Sequence, residues 1–170
     1  NGGSDSRLNN DPGSCSMRFL RLRNFDGDVV GMPKNKMSRE ELAQRIVVAP
    51  FHQWLGLELS KIDENGIELT VPWREEFVVN VELGYTHGGI LATLIDVAAD
   101  YAIAAKLGRP VPTIDMRVDY HRPAFQGKLL VKAQALKLGG NFCTGEAQVY
   151  DEKDKLLASG RGVYLSAPLG

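Results

Sequence analysis

The chain has 170 residues, of which 44% are hydrophobic and 24% are charged, and its net charge is -1 at pH 7. This length suits one domain with a sizeable core. The near-neutral charge argues against nucleic acid or a membrane surface as a partner. The two cysteines, Cys15 and Cys143, and the three histidines are not spaced as metal ligands. Free thiols of this kind are typical of a reducing, cytoplasmic compartment.

The first part of the chain divides into a leader and a short helical segment. Residues 1–36 are predicted to be a leader that is disordered or of expression origin, followed by coil, because their start is rich in Gly, Ser, Asn and Asp. Residues 37–56 are predicted to be helical, since Ser38 and Glu41 have the spacing of a capping box. Pro50 either stops this helix or begins a second short one. The segment either packs against the main domain or covers part of its site.

The main domain, predicted to span residues 57–170, opens with two strands. Residues 57–63 and 67–71 both alternate between polar and apolar side chains, and the Glu-Asn-Gly sequence at 64–66 is a hairpin signal between them. The connection that follows is about ten residues long, which is typical of a functional loop. It contains Asn80.

A long helix is predicted that begins at the Thr86-His87-Gly88-Gly89 turn, ends at Leu107-Gly108 and is almost entirely apolar over residues 90–105. Alanine and leucine dominate this stretch, and both are strong helix formers. Gly108 shortly follows the last apolar residue and gives a stop signal. Asp96 and Asp100 argue against a bilayer span, which needs about 20 apolar residues. A helix that is apolar on most sides must be surrounded by protein, so we expect it at the centre of the core.

The polar residues of this helix form one stripe. Gly89, Thr93, Asp96 and Asp100 are spaced by four, three and four residues, which places them on the same face. The stripe begins at the helix N-terminus, where amide N–H groups lack internal partners and carry a partial positive charge. Free donors in line with a carboxylate suit the binding of a carbonyl oxygen while an acid acts on the neighbouring carbon. The alternative is structural: a tight His-Gly-Gly turn, and a buried Asp96 paired with an arginine.

Four further strands are predicted after the helix. They span residues 112–120, 129–138, 142–150 and 156–165, and each alternates or is bounded by turn residues. Consecutive strands with short turns form an antiparallel sheet. The predicted architecture is therefore α+β, with an antiparallel sheet of five to six strands wrapped around one long central helix and an N-terminal helical extension. A second copy of the chain or the N-terminal helices would cover the rest of the central helix.

This order of elements resembles the hotdog fold. The stretch Gly84-Tyr85-Thr86-His87-Gly88-Gly89, followed by Leu94-Ile95-Asp96, resembles the PaaI-like acyl-CoA thioesterases of that fold. The similarity covers roughly residues 51–165. In this context a glycine-rich His-Gly-Gly turn with an aspartate nine residues after the histidine is fairly specific.

The resemblance implies a role for five residues. Asp96 would be the catalytic carboxylate, as general base on water or as nucleophile on the thioester carbon. The backbone N–H of Gly89 would bind the thioester oxygen, with Gly88 giving room. His87 would orient the site or contact the thioester. Thr113 falls where relatives often carry a serine or threonine that positions the attacking water.

The resemblance also implies how chains assemble and where this sequence departs from the family. In these proteins the site lies at a dimer interface, with Asp96 facing the His-Gly-Gly turn of the other chain, and dimers often pair into homotetramers. Many relatives carry Asn or Gln six residues before the histidine, where this chain has Val81. Asn80 lies one residue earlier, so either a shift in the loop delivers it to the site or this contact is missing.

Three functions are compatible with these residues. The first is hydrolysis of an acyl-CoA thioester to free acid and CoA, with no cofactor because CoA is part of the substrate. The second is a non-catalytic acyl-CoA or acyl-chain binding module. The third is a hydratase or dehydratase, which usually presents a catalytic histidine with a separate acid. Since a thiolate leaves readily, a site with one carboxylate and no strong general acid favours hydrolysis.

Overall fold

The computed structural model describes residues 34–167. Most of the predicted leader, residues 1–33, lies outside the described residues. In chain order, the elements are α1 (Arg39–Val48), α2 (Pro50–Leu55), β1 (Glu58–Asp63), β2 (Gly66–Val71), a 3-10 turn (Glu75–Phe77), β3 (Val78–Asn80), β4 (Tyr85–Thr86), α3 (Gly88–Leu107), β5 (Thr113–Tyr120), β6 (Leu129–Leu138), β7 (Phe142–Tyr150) and β8 (Leu156–Leu165).

The capping box at the start of α1 is confirmed. The Ser38 hydroxyl accepts a hydrogen bond from the Glu41 N–H at 3.2 Å, and the Glu41 carboxylate accepts one from the Ser38 N–H at 2.7 Å. Of the two predictions for Pro50, the second holds, because Pro50 begins α2. Both helices turn apolar side chains into the core, namely Leu42, Ile46 and Leu55.

The sheet is antiparallel and six-stranded, in the order β1-β2-β6-β7-β8-β5, which confirms the predicted hotdog architecture. Its two edges differ. The β1 edge is irregular, and the Arg39 guanidinium donates to the carbonyl oxygens of Leu59 and Ser60 at 3.1 and 3.0 Å. β5, by contrast, has β8 as its only partner among the described strands. The free edge of the sheet is therefore the one that carries Thr113.

The connection after β2 is more ordered than the sequence predicts. Where an irregular loop was expected, the chain forms a 3-10 turn and the short β3–β4 hairpin. Phe77 anchors it in the core with 1% of its surface exposed. The Asn80 side-chain oxygen accepts the Leu83 N–H at 2.8 Å, and the Asn80 carbonyl accepts the Gly84 N–H at 2.7 Å. These two bonds close the hairpin that leads into α3.

α3 lies directly on the sheet, and its bounds confirm the predicted start at the His-Gly-Gly turn and the predicted end at Leu107. Small residues permit this close approach, because a Cβ on Gly160 of β8 would lie only 2.7 Å from Ile95 Cγ2. At the far end, Lys106 is buried and its Nζ donates to the Glu64 carbonyl at 3.1 Å, which ties the helix to the β1–β2 turn. Gly108 ends the helix in the left-handed conformation.

The two ends of α3 are covered differently. The N-terminal helices cover its C-terminal half, where the Tyr101 hydroxyl donates to the Arg45 carbonyl at 3.3 Å and the His52 ring packs edge-on against Tyr101. Near the N-terminal half, Thr93 and Asp96 remain only half-buried. Within residues 34–167, no helix has the length and apolar character needed to cross a membrane.

Candidate active site

The catalytic carboxylate predicted from the sequence meets the start of β5. The Thr113 hydroxyl donates to Asp96 Oδ1 at 2.7 Å, so the structure brings these two predicted site residues together. β8 also fixes the start of β5, because the Leu165 N–H of β8 donates to the Pro112 carbonyl at 2.8 Å. A hydroxyl fixed on a carboxylate in this way also presents its own lone pairs to a water molecule.

Tyr164 of β8 joins this pair and was missed by the sequence analysis. Its hydroxyl lies 3.2 Å from the Asp96 carbonyl oxygen and 3.4 Å from Asp96 Oδ1. The ring is fully buried and lies over Gly162, where a Cβ would come within 2.6 Å of the Tyr164 hydroxyl. Burial raises the pKa of Tyr164, and the negative charges of Asp96 and Asp100 raise it further. The hydroxyl therefore stays protonated and donates. The one sign of this role in the sequence is that Tyr164 follows Gly162 by two residues on the same strand, so that both lie on one face.

Asp100 lies one helical turn beyond Asp96 and contacts the same part of the chain. Its Oδ1 accepts the Val111 N–H at 2.8 Å. Burial raises the pKa of Asp100 to about 7; the Val111 N–H opposes this shift, and the charge of Asp96 adds to it. Among residues 34–167, no ion pair joins either acid to an arginine. The structural alternative of an Asp–Arg pair is thus not what the described chain shows.

The start of α3 holds the second group of predicted residues. His87 is the N-cap, and its Nδ1 accepts the Gly89 N–H at 2.7 Å. The Gly89 amide is therefore occupied, where the sequence analysis expected a free donor. The His87 side chain is exposed, so rotation of its ring would release the amide. Gly88 leaves room for the Tyr120 ring, whose hydroxyl donates to the Gly88 carbonyl at 3.1 Å.

The backbone before α3 is fixed by hydrogen bonds. The His87 N–H donates to the Phe77 carbonyl and the Thr86 N–H to the Ala124 carbonyl, both at 2.7 Å. Asn80 belongs to the same β3–β4 hairpin, but no hydrogen bond within residues 34–167 joins it to Asp96. Its place in the site stays a prediction. We refer below to Asn80, His87, Gly88 and Gly89 as the helix-start cluster, and to Asp96, Asp100, Thr113 and Tyr164 as the carboxylate cluster.

The two clusters lie far apart along one helix. Gly89 and Asp96 are seven residues apart, which corresponds to about 10 Å along the axis of α3. One thioester could contact both residues of a single chain only if the Gly89 N–H, the thioester C=O and the Asp96 carboxylate lay nearly on one line. A nucleophile instead approaches a carbonyl carbon obliquely, along the Bürgi–Dunitz trajectory. The described chain thus holds the Gly89 amide and the Asp96 carboxylate at two separate places along α3.

Comparisons with known proteins agree with this fold and these motifs. The family model of the Thioesterase superfamily matches residues 83–158. An X-ray structure of a protein from the thioesterase superfamily is 48% identical, covers 74% of this chain and 96% of its own, and superposes with a TM-score of 0.73. The chain belongs to the thioesterase superfamily. Hydrolysis of thioesters is thus the activity to be expected at the level of the family.

Two further comparisons agree with membership of the superfamily. A medium/long-chain acyl-CoA thioesterase of Escherichia coli is 26% identical over 132 residues, which cover 68% of this chain and 84% of the relative. A phenylacetic acid degradation-related protein from Ralstonia eutropha shares the fold, with a TM-score of 0.66, 23% identity, and coverage of 73% of this chain and 95% of its own. The resemblance to hotdog-fold thioesterases that the His-Gly-Gly turn indicated is confirmed at the level of the superfamily.

Proposed function

We propose that this protein hydrolyses an acyl-CoA thioester to a free acid and CoA. The observation that carries the proposal is the Asp96 carboxylate of a thioesterase-superfamily chain, half-buried on the open side of α3 and held by the Thr113 hydroxyl at 2.7 Å. The reaction needs no cofactor, since CoA belongs to the substrate. A cytoplasmic location is part of the same proposal.

Asp96 serves the reaction as general base or as nucleophile. Asp96 Oδ1 accepts from Thr113 and lies within reach of Tyr164, which leaves Oδ2 without a hydrogen bond from the described residues. As a base, Oδ2 takes a proton from water while the water oxygen bonds to the thioester carbon and the C=O electrons move to oxygen. The C–S bond then breaks, and the proton on Asp96 passes to the departing thiolate. As a nucleophile, Oδ2 would bond to the thioester carbon while the C–S bond breaks and the CoA thiolate leaves. Water would then hydrolyse the resulting anhydride to the free acid and the Asp96 carboxylate.

The N-terminus of α3 stabilises the negative charge that develops on the thioester oxygen. After rotation of the His87 ring, the Gly89 N–H is free to donate to that oxygen, at the positive end of the helix dipole. The hydrogen bond that His87 vacates is the one the oxyanion takes up. His87 therefore holds the amide in place when no substrate is bound.

The active unit is proposed to be a homodimer in which Asp96 of one chain faces the helix-start cluster of the other. Three features support it: the separation of the two clusters along α3, the half-buried stripe on its N-terminal half, and the free edge of β5. Pairing of two such dimers would give the tetramer common in the family.

Thiol release from a panel of acyl-CoA substrates tests the proposed hydrolysis. The panel contains short, long and aromatic acyl groups, and we expect steady release from at least one of them. The His87–Gly89 hydrogen bond, which occupies the oxyanion donor, favours a non-catalytic binding module as the second candidate. Saturable binding of an acyl-CoA without release of thiol would support that module and contradict hydrolysis.

A further inference from the structure

We propose that Asp100 is a positioning residue that fixes the start of β5, so that the Thr113 hydroxyl stays on the Asp96 carboxylate. This inference rests on the proposed roles of Asp96 and Thr113. It concerns a residue that takes no part in the chemistry itself and acts only through the backbone it holds.

Two parallel contacts connect α3 to the chain at the start of β5. Asp96 accepts from Thr113, and Asp100 accepts from the Val111 N–H. Four residues of helix advance about 6 Å, and two residues of extended chain advance about 6.6 Å. The spacing of the two acids therefore matches the spacing of their two partners. The pair forms a two-rung ladder in which the helix and the extended chain run in opposite directions.

The Asp100 rung lies deeper than the Asp96 rung. Val111 has 4% of its surface exposed, whereas Thr113 is exposed. A buried backbone N–H without an acceptor is costly, so the chain would shift to find one if Asp100 were removed. Such a shift would move Thr113, two residues on, and small displacements of a catalytic group can lower the rate about a hundredfold.

The remaining contact to Asp96 cannot replace this rung. From β8, the Tyr164 hydroxyl holds Asp96 and the Leu165 N–H holds the Pro112 carbonyl, but neither contact supplies an acceptor for the Val111 N–H. Within the described chain, Asp100 is the only side chain that hydrogen-bonds the Val111 backbone. The Asp100→Asn substitution separates the hydrogen bond from the negative charge, because asparagine keeps a side-chain oxygen that can accept the Val111 N–H but carries no charge.

The test compares Asp100→Ala, Asp100→Leu and Asp100→Asn by kcat and KM on the best acyl-CoA substrate. We expect the alanine and leucine variants to lose about tenfold to a hundredfold in kcat with little change in KM, and the asparagine variant to recover at least fivefold of that loss. Leucine fills the volume of the aspartate side chain, so the leucine variant can still be assayed if the cavity left by alanine makes that variant unfold. Ile103→Ala, a buried substitution on the same helix, controls for lost stability and should keep its kcat per folded molecule.

The outcomes separate this inference from the proposed function. Equal kcat in all three Asp100 variants, or an asparagine variant no better than alanine, would overturn the positioning role. Asp96→Asn is measured in the same assay. Absence of thiol release by the wild-type protein would refute the proposed function, and an active Asp96→Asn protein would refute the proposed role of Asp96. An inactive Asp96→Asn protein beside a fully active Asp100→Ala would refute the positioning role alone.

Discussion

Asp96→Asn is expected to lower kcat for acyl-CoA hydrolysis by about 10²- to 10⁴-fold, the usual contribution of a positioned acid–base group. Asparagine keeps an oxygen that can accept from Thr113 and Tyr164, so the fold and the surrounding hydrogen bonds should survive. It has no basic oxygen for water and no nucleophilic carboxylate. The loss should therefore appear in kcat far more than in KM, measured by thiol release at a matched concentration of folded protein.

The control for this variant is Glu40→Gln, the same chemical change at an exposed position on α1. It should retain the activity of the wild-type protein. Thermal unfolding of all three proteins shows whether the Asp96 variant is folded. A folded Asp96→Asn protein with wild-type kcat would remove Asp96 from the mechanism.

Asp100→Asn is expected to stabilise the protein at alkaline pH. The folded-state pKa of Asp100 is raised from 3.8 to about 7, because the buried carboxyl resists ionisation. A group of this kind contributes stability that is fully present below about pH 4 and is lost as the pH rises through about 7. With 1.36 kcal/mol for each unit of pKa shift, the loss amounts to up to about 4 kcal/mol in the free energy of unfolding. Asparagine does not ionise, so at pH 8 the variant should be more stable than the wild type by an amount of that order.

Urea denaturation at several values between pH 4 and pH 8 measures this difference. Asp63→Asn gives a control of opposite sign. Partial burial raises the pKa of Asp63, but hydrogen bonds from the Lys61 ammonium and from the N–H groups of Asn65 and Gly66 outweigh this and lower it. Its contribution is lost as the pH falls, so Asp63→Asn should be the less stable protein near pH 8. A constant stability difference between Asp100→Asn and wild type across this range would show that Asp100 does not titrate as described.

Most of the fold is predictable from the sequence because its elements are long enough to show a period. β6 is an example: Leu129, Val131, Ala133 and Ala135 are all buried on one face, as period-two alternation requires. The β3–β4 hairpin could not be predicted from periodicity. Its strands have three and two residues and an irregular register, so no period can develop. A buried Phe77 and the turn bonds of Asn80 decide its structure instead.

The candidate site was only partly predictable for a related physical reason. Asp96 was predicted from its spacing after the His-Gly-Gly turn, and Thr113 from the family resemblance. The Tyr164–Asp96 contact joins residues 68 positions apart, and only the packing of α3 against β8 brings them together. The sequence predicted a free Gly89 N–H at the start of α3. In the structure this N–H donates to the His87 ring, which is only two residues away. Helix position alone could not reveal that hydrogen bond.

The activity of a purified hybrid dimer shows whether the catalytic site is shared between two chains. One chain carries Asp96→Asn; the other carries Gly89→Pro, which removes the amide N–H at the second residue of α3, where that N–H has no partner within the helix. The two chains are co-expressed with different affinity tags and purified through both. If the carboxylate of one chain acts with the helix start of the other, one of the two sites is intact, and the hybrid should have about half the activity of the wild type although each parent homodimer is nearly inactive. A folded hybrid with no more activity than its parents would contradict a site shared between two chains.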